Sequence, residues 1–213
     1  MAVNLPPPFA QVAIAPTAPA PPPLTAFIAA VETLRRRHAN DHDLATAVVA
    51  PLTELLRDPD WLPAPHRVPA TGGYCPHVVH VAPDGGWSLI SLVWQPGQRT
   101  PIHDHVAWCV VGVYQGQEEE TRYRLHVRGD QRFLVEADRH IAHPGDTVAL
   151  VPPDEDIHTV ANIGAGVAIS LHVYGADIGR LGSSINHRFD DLPIRAGAGA
   201  DPPASWRRLY LGT

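Results

Sequence analysis

From about residue 77 onward the chain is cut into short apolar runs by Gly, Pro and Asp, and this constrains the fold more than any other feature. The runs fall at 77–82, 87–94, 108–115, 121–127, 132–136, 147–151, 158–161 and 167–174. Between them stand turn signals such as Pro83-Asp84-Gly85-Gly86, Gly129-Asp130 and Pro144-Gly145-Asp146. Each run is too short for a helix with a buried stripe, and many are rich in β-branched and aromatic residues. Eight short strands at this spacing predict an all-β class, as a closed antiparallel barrel or jelly roll.

The first third reads differently. Residues 1–23 are rich in Pro and Ala and carry no charge, which predicts an extended, disordered arm. Leu24, Phe27, Ile28, Val31 and Leu34 then recur at helical spacing, with Arg35, Arg36 and Arg37 at the end that favours positive charge. Asp43 is placed to cap a second helix, which Pro51 is expected to break or restart. The expected organisation is an arm over 1–23, a helical segment over 24–69 packed on the barrel, and a barrel with a C-terminal extension over 70–213. Within that extension, 206–211 is expected to dock back as an edge strand.

Several function classes are disfavoured. A formal net charge of −6 gives no attraction to nucleic acid or anionic lipid. No apolar run reaches membrane-spanning length, and the first residues lack the basic start and apolar block of a signal peptide. Two cysteines, Cys75 and Cys109, make no disulfide framework. The expectation is a cytoplasmic, reduced protein, monomeric or a small homo-oligomer, acting on a small molecule.

Among the 13 histidines, spacing singles out a few. In His103-Asp104-His105 the two imidazoles are two apart in a segment that reads as a strand, so they share a face while Asp104 turns away. A third, His158, follows the Pro152-Pro153 turn. Three neutral nitrogen ligands with positions left open describe a catalytic metal site better than a structural one. The other histidines are read as incidental: His80, His126, His140 and His143 away from the metal, and His38, His42, His66 and His187 as solvated. The run Glu118-Glu119-Glu120 reads as a solvated edge.

Ser170, His172 and Tyr174 make a second set two apart. Three polar groups on a face that lines a barrel must be hydrogen-bonded to one another. They read as a relay presenting the Tyr174 hydroxyl to the metal, or as a structural cluster on the far wall.

Two blocks resemble the paired motifs of the cupin superfamily: Gly97, His103, His105 and Gly112, then Gly145, Pro152, His158 and Asn162. Where many cupins carry a glutamate ligand about four residues after the second histidine, this chain has Cys109. More specifically, Trp94, Pro96-Gly97, His103-Asp104-His105, Trp108, Gly112 and Ser170-Leu171-His172-Val173-Tyr174 resemble the bacterial branch of the thiol dioxygenases, cysteine dioxygenase and 3-mercaptopropionate dioxygenase. The resemblance spans about 70–175 and implies a cupin jelly-roll barrel. It implies mononuclear Fe(II) held by His103, His105 and His158, and O2 insertion at the sulfur of a small thiol to give a sulfinic acid. A ligand set without a carboxylate leaves the ion its full charge, which favours an incoming thiolate.

The resemblance also implies roles elsewhere. Ser170, His172 and Tyr174 are the catalytic relay. Cys109 matches the cysteine that animal-type enzymes bond to the active-site tyrosine, here as a Cys109–Tyr174 thioether, although the bacterial branch has glycine there. The alternative for Cys109 is a small core residue. His77 stands where cysteine dioxygenase has the arginine that holds the substrate carboxylate, and Cys75 where a tyrosine is expected. The candidate substrate contacts are His77, Arg180 and Trp94, with Arg122 and Arg124 as further cations. Two other functions fit the same residues: a cupin oxygenase repurposed for a specialised metabolite, with another divalent metal, and a non-catalytic metal-binding cupin.

Overall fold

The structure is a computed structural model that describes residues 20–153 and 156–195. The expected strand at 206–211 and all but the last residues of the Pro/Ala-rich arm lie outside the described residues.

Helix α1, Pro22–Arg37, begins inside the stretch expected to be an arm. Proline suits a first helical turn, where its missing N–H has no partner to lose. The helix buries Leu24, Phe27 and Val31. Helix α2, Asp41–Leu56, is capped by Asn40, whose side chain accepts from the Asp43 amide. The cap is therefore three residues earlier than expected, and Asp43 sits in the first turn. Pro51 does not break the helix. Leu52, Leu55 and Leu56 beyond it stay buried, so packing outweighs the proline's cost of about 3 kcal/mol.

A 3-10 turn, Ala64–Arg67, leads into the strands. These are β1 (Cys75–Val81), β2 (Ser88–Trp94), β3 (His103–His105), β4 (Cys109–Gln115), β5 (Glu118–Arg128) and β6 (Gln131–Ala142). They continue with β7 (Thr147–Leu150), β8 (His158–Asn162), β9 (Ala168–Tyr174), β10 (Ile185–Arg188) and β11 (Ile194–Arg195), with a four-residue helix α3 (Ile178–Leu181) after β9. One sheet runs β1-β2-β9-β4-β7 and the other β10-β3-β8-β5-β6-β11. This is the two-sheet barrel expected, with helices added at the N-terminal side. Strands β10 and β11 escape sequence reading because they are short, mostly exposed and lack apolar alternation.

The first sheet is buried on both faces. Its outer face, with Leu89, Val93, Val110 and Leu171, joins the core made by α1 and α2. The Trp87 indole donates to Glu32 of α1 at 2.7 Å, and Arg35 pairs with Asp84 at 2.8 Å. Its inner face, with Ile90, Leu92, Trp94, Cys109, Val111 and Tyr174, looks across at Val160 of the second sheet. This double burial leaves every residue of β2 and β9 buried, rather than every second one.

Gly175 ends β9 where Trp108 crosses. A Cβ there would stand 2.2 Å from the indole Nε1. Gly175→Ala is expected to lower stability by about 1–3 kcal/mol, because the buried ring has no empty space to enter. Denaturant unfolding checks this, and an unchanged midpoint would contradict it.

Candidate metal centre

His103 and His105 project from β3, and His158 from β8, which pairs with β3 at His103 opposite His158. The three ring centroids are 4.7, 4.9 and 4.9 Å apart. One nitrogen from each lies within 4.8 Å of the others, and all three side chains are buried. Burial first, and then the neighbouring imidazoles, push the His103 nitrogen well below the usual histidine range. His105 is also lowered, chiefly by burial.

The outer nitrogens of His103 and His158 are hydrogen-bonded from behind, and that of His105 faces a carboxylate without a hydrogen bond. His103 Nδ1 donates to the Pro101 carbonyl at 2.9 Å. A carbonyl can only accept, so the lone pair of His103 is on Nε2. His158 Nδ1 donates to Glu120 at 2.7 Å. His105 Nδ1 stands 3.6 Å from an Asp156 oxygen that also accepts the His105 backbone N–H. Glu120 is gripped in turn by Arg122, at 3.1 and 3.2 Å. Burial raises the Glu120 carboxyl, but the Arg122 guanidinium and His158 outweigh it and hold it well below the usual range. The set is three imidazoles, two hydrogen-bonded at the back and the third beside a carboxylate, with one nitrogen of each turned to a common point, which fits a divalent first-row ion on one face. Asp104 turns outward and accepts from the His187 backbone on β10.

The far wall of the same cavity is β9. Ser170 Oγ is 2.9 Å from His172 Nε2, and Tyr174 Oη is 3.1 Å from His172 Nδ1. The Trp94 indole donates to Ser170 Oγ at 3.1 Å. Burial lowers His172 to about 3 and raises Tyr174, so both are neutral near pH 7. Cys109 is opposite Tyr174 in the β4–β9 ladder, and its Sγ is 3.9 Å from His172 Nδ1. Its thiol is raised by burial and lies within hydrogen-bonding reach of the Tyr174 hydroxyl.

The cavity between these walls, about 60 Å³, is lined by His103, His105, His158, His172 and Tyr174. Trp94 also lines it and lies against the Tyr74 ring, with centroids 4.6 Å apart. His77 does not. Its Nε2 donates to the Val68 carbonyl at 2.7 Å, and its ring meets His66 on the outside of the sheet. The parity of β1 is the reason: Tyr74 and Pro76 face the cavity, while Cys75 packs on the outer core. Arg180 is exposed on α3 and does not reach the cavity. Arg122 sits behind His158, and Arg124 lines an outer groove with His126. Among the described residues no arginine or lysine lines the cavity. His66, expected to be solvated, is buried.

Sequence reading missed Glu118, Glu120, Asp156, Tyr74 and Ser184. The three glutamates are not a solvated edge: Glu118 and Glu120 are buried and only Glu119 turns outward. The i, i+2 rule that selected the histidines would have separated them, but an acidic run reads first as surface.

Residues 72–182 match the cysteine dioxygenase type I family. Among solved structures, the chain is similar to a sugar phosphate isomerase from a cupin superfamily of Silicibacter pomeroyi, at 21% identity over 41% of this chain and 49% of that one, with a TM-score of 0.33. It is similar to an oxalate oxidase in complex with glycolate, at 20% over 51% and 53% of the two chains, with a TM-score of 0.38. It is also similar to a cupin 2 conserved barrel domain protein of Salinispora arenicola, at 17% over 55% and 88%, with a TM-score of 0.39. The chain spans about half the length of the first two of these. No helix among the described residues is long and apolar enough to cross a membrane.

Proposed function

This chain belongs to the cysteine dioxygenase type I family, and from that premise we propose that it is a mononuclear non-haem Fe(II) thiol dioxygenase. It adds both atoms of O2 to the sulfur of a small thiol, RSH + O2 giving RSO2H. The observation that carries the reading is the meeting of three buried imidazoles and the Tyr174 hydroxyl in one cavity.

His103, His105 and His158 are the proposed ligands. When bound, the iron supplies a common site for thiolate and dioxygen. The chain's own residues do the rest. Pro101 and Glu120 fix the rings of His103 and His158, and Asp156 holds the His105 backbone. Tyr174, kept neutral by burial, offers a hydroxyl to the reacting atoms, and His172 and Ser170 set its direction. Trp94 and Tyr74 exclude water from one side.

The substrate is proposed to be a small thiol of the cysteine or 3-mercaptopropionate type. Among the described residues no cationic side chain lines the cavity, so Tyr74, Thr100, Ser183 and Ser184 are the groups placed to hydrogen-bond its far end. A cupin oxygenase working on another metabolite is favoured by one observation, Pro76 facing the cavity where a carboxylate-binding side chain is wanted. The deciding experiment loads the protein with Fe(II) and measures O2 uptake and sulfinate formation over a panel of small thiols. Uptake without sulfinate would point to the other oxygenase, and no uptake with any thiol to a metal-binding cupin without turnover. A cytoplasmic setting, consistent with two free cysteines, is part of the proposal.

The Cys109–Tyr174 thioether belongs here too. Its formation removes one hydrogen from the thiol and one from the ring, with O2 as the two-electron acceptor. Protein incubated with iron, thiol and O2 is expected to lose the mass of two hydrogens, on a peptide pair joining Cys109 to Tyr174. Cys109→Ser is expected to keep its full mass. An unchanged mass after many turnovers would leave Cys109 as a packing residue.

A further inference from the structure

Glu118 is buried at the inner end of β5 and is used by nothing described so far. Its carboxyl lies within hydrogen-bonding reach of the Ser170 hydroxyl. Its Oε1 is buried with no hydrogen-bond partner among the described residues. It borders a small inner cavity with Val111, Val113, Val148 and Glu120. The titratable groups around it are Glu120 on its own strand, His158 on β8, Asp146 before β7, and His172 beyond Ser170 on β9. Strands β4 and β6 present only Val111, Val113 and Ala142.

We propose that Glu118 is the inner terminus of the Ser170–His172–Tyr174 chain, a positioning residue that donates to Ser170 and so turns the Tyr174 hydroxyl hydrogen toward the cavity. This rests on the reading in which Tyr174 serves the reaction.

Counting donors leads there. The Trp94 indole N–H can only donate, so one lone pair of Ser170 Oγ is taken. A carboxylate at 118 would sit fully buried beside the ionised Glu120, with Arg122 already engaged by Glu120. Burial, against the opposing effect of the Ser170 hydroxyl and with the charge of Glu120 added, pushes Glu118 up to about 8, in keeping with a neutral acid. A buried O–H needs an acceptor more than a carbonyl oxygen needs a donor. The acid hydrogen therefore goes to Ser170, and the partnerless Oε1 is the carbonyl oxygen. Ser170, accepting from Trp94 and Glu118, gives its single hydrogen to His172 Nε2. Neutral His172 then carries its hydrogen on Nδ1 and donates it to Tyr174. The tyrosine hydrogen is left free for Ser184, which is within hydrogen-bonding reach at the cavity wall, or for the substrate. With no donor at 118, the chain has no fixed direction.

The test is the nitrogen NMR spectrum of the metal-free, full-length protein with 15N-labelled histidine, where the two tautomers give distinct patterns. The His172 signals are identified by their loss in His172→Gln. Wild type is expected to show His172 with its hydrogen on Nδ1. Glu118→Leu is expected to lose that preference, and Glu118→Gln, whose amide can donate, to restore it. In the iron-loaded enzyme Glu118→Leu is expected to lower kcat about tenfold with little change in KM, and Glu118→Gln to recover most of that loss. Wild-type His172 protonated on Nε2, or an unchanged tautomer in Glu118→Leu, would overturn the assignment. The wild-type spectrum decides even if the leucine variant fails to fold. The expected tautomers without any thiol turnover would support the role of Glu118 and defeat the functional reading instead.

Discussion

His158→Ala is expected to purify without stoichiometric metal and to lose thiol-dependent O2 uptake by on the order of a thousandfold or more, since a bound metal is worth several kcal/mol to the transition state. The expectation follows from where the ligands originate. His103 and His105 come from one three-residue strand, and only His158 closes the set from a second strand. The substitution spares the backbone ladder by which β8 pairs with β5 through five successive residues. It also leaves Glu120 in the grip of Arg122. The variant should therefore fold, and metal analysis beside a circular dichroism spectrum separates loss of ligand from loss of structure. A folded His158→Ala protein that still holds one iron per chain would remove the basis of the proposed mechanism.

Glu120→Ala is expected to do damage of two kinds. It takes from the buried Arg122 guanidinium the carboxylate at 3.1 Å, and breaking a buried pair from one side costs about 3–5 kcal/mol. It also frees the His158 ring to turn, which weakens metal binding by about 10–100-fold. Glu120→Gln separates the two, because the amide can still accept from His158 but brings no charge to Arg122. The sign with pH is fixed. The folded Glu120 carboxyl is held below its unfolded value, so its contribution is complete above the unfolded pKa and lost as pH falls. The stability gap between wild type and Glu120→Gln is expected to be widest near neutrality and to narrow below about pH 4. A gap that widened on acidification would contradict the ion pair as the cause. Thermal unfolding across that range is the measurement.

Much of this arrangement was legible from spacing. The i, i+2 rule puts His103 with His105 and aligns Ser170, His172 and Tyr174, and the structure brings His103, His105, His172 and Tyr174 to the cavity with Ser170 bonded behind His172. Long-range pairing cannot be read that way. Cys109 opposite Tyr174 depends on which strands adjoin, and a β4–β9 neighbourhood is not written in either segment. Position 77 failed for a local reason. Tyr74 precedes the strand and already faces inward, so the inward set is 74 and 76 rather than 75 and 77. The helix cap failed because Asn40 and Asp43 are both good capping residues, and only geometry chooses between them. The acidic run reads as surface by composition, whereas its parity carries the information.

The imidazole trio rides on one sheet and the Ser170–His172–Tyr174 chain on the other, and no backbone hydrogen bond among the described pairings joins the two. The gap between them is kept by side chains that make no claim to chemistry, Ile90 and Leu92 from one side and Val160 from the other. They act as shims. Thinning one, as in Val160→Ala, would alter the clearance across which oxygen and sulfur must meet while every reactive group stayed in place. Evolution could thus retune such a barrel for a bulkier or slimmer substrate through its spacers alone.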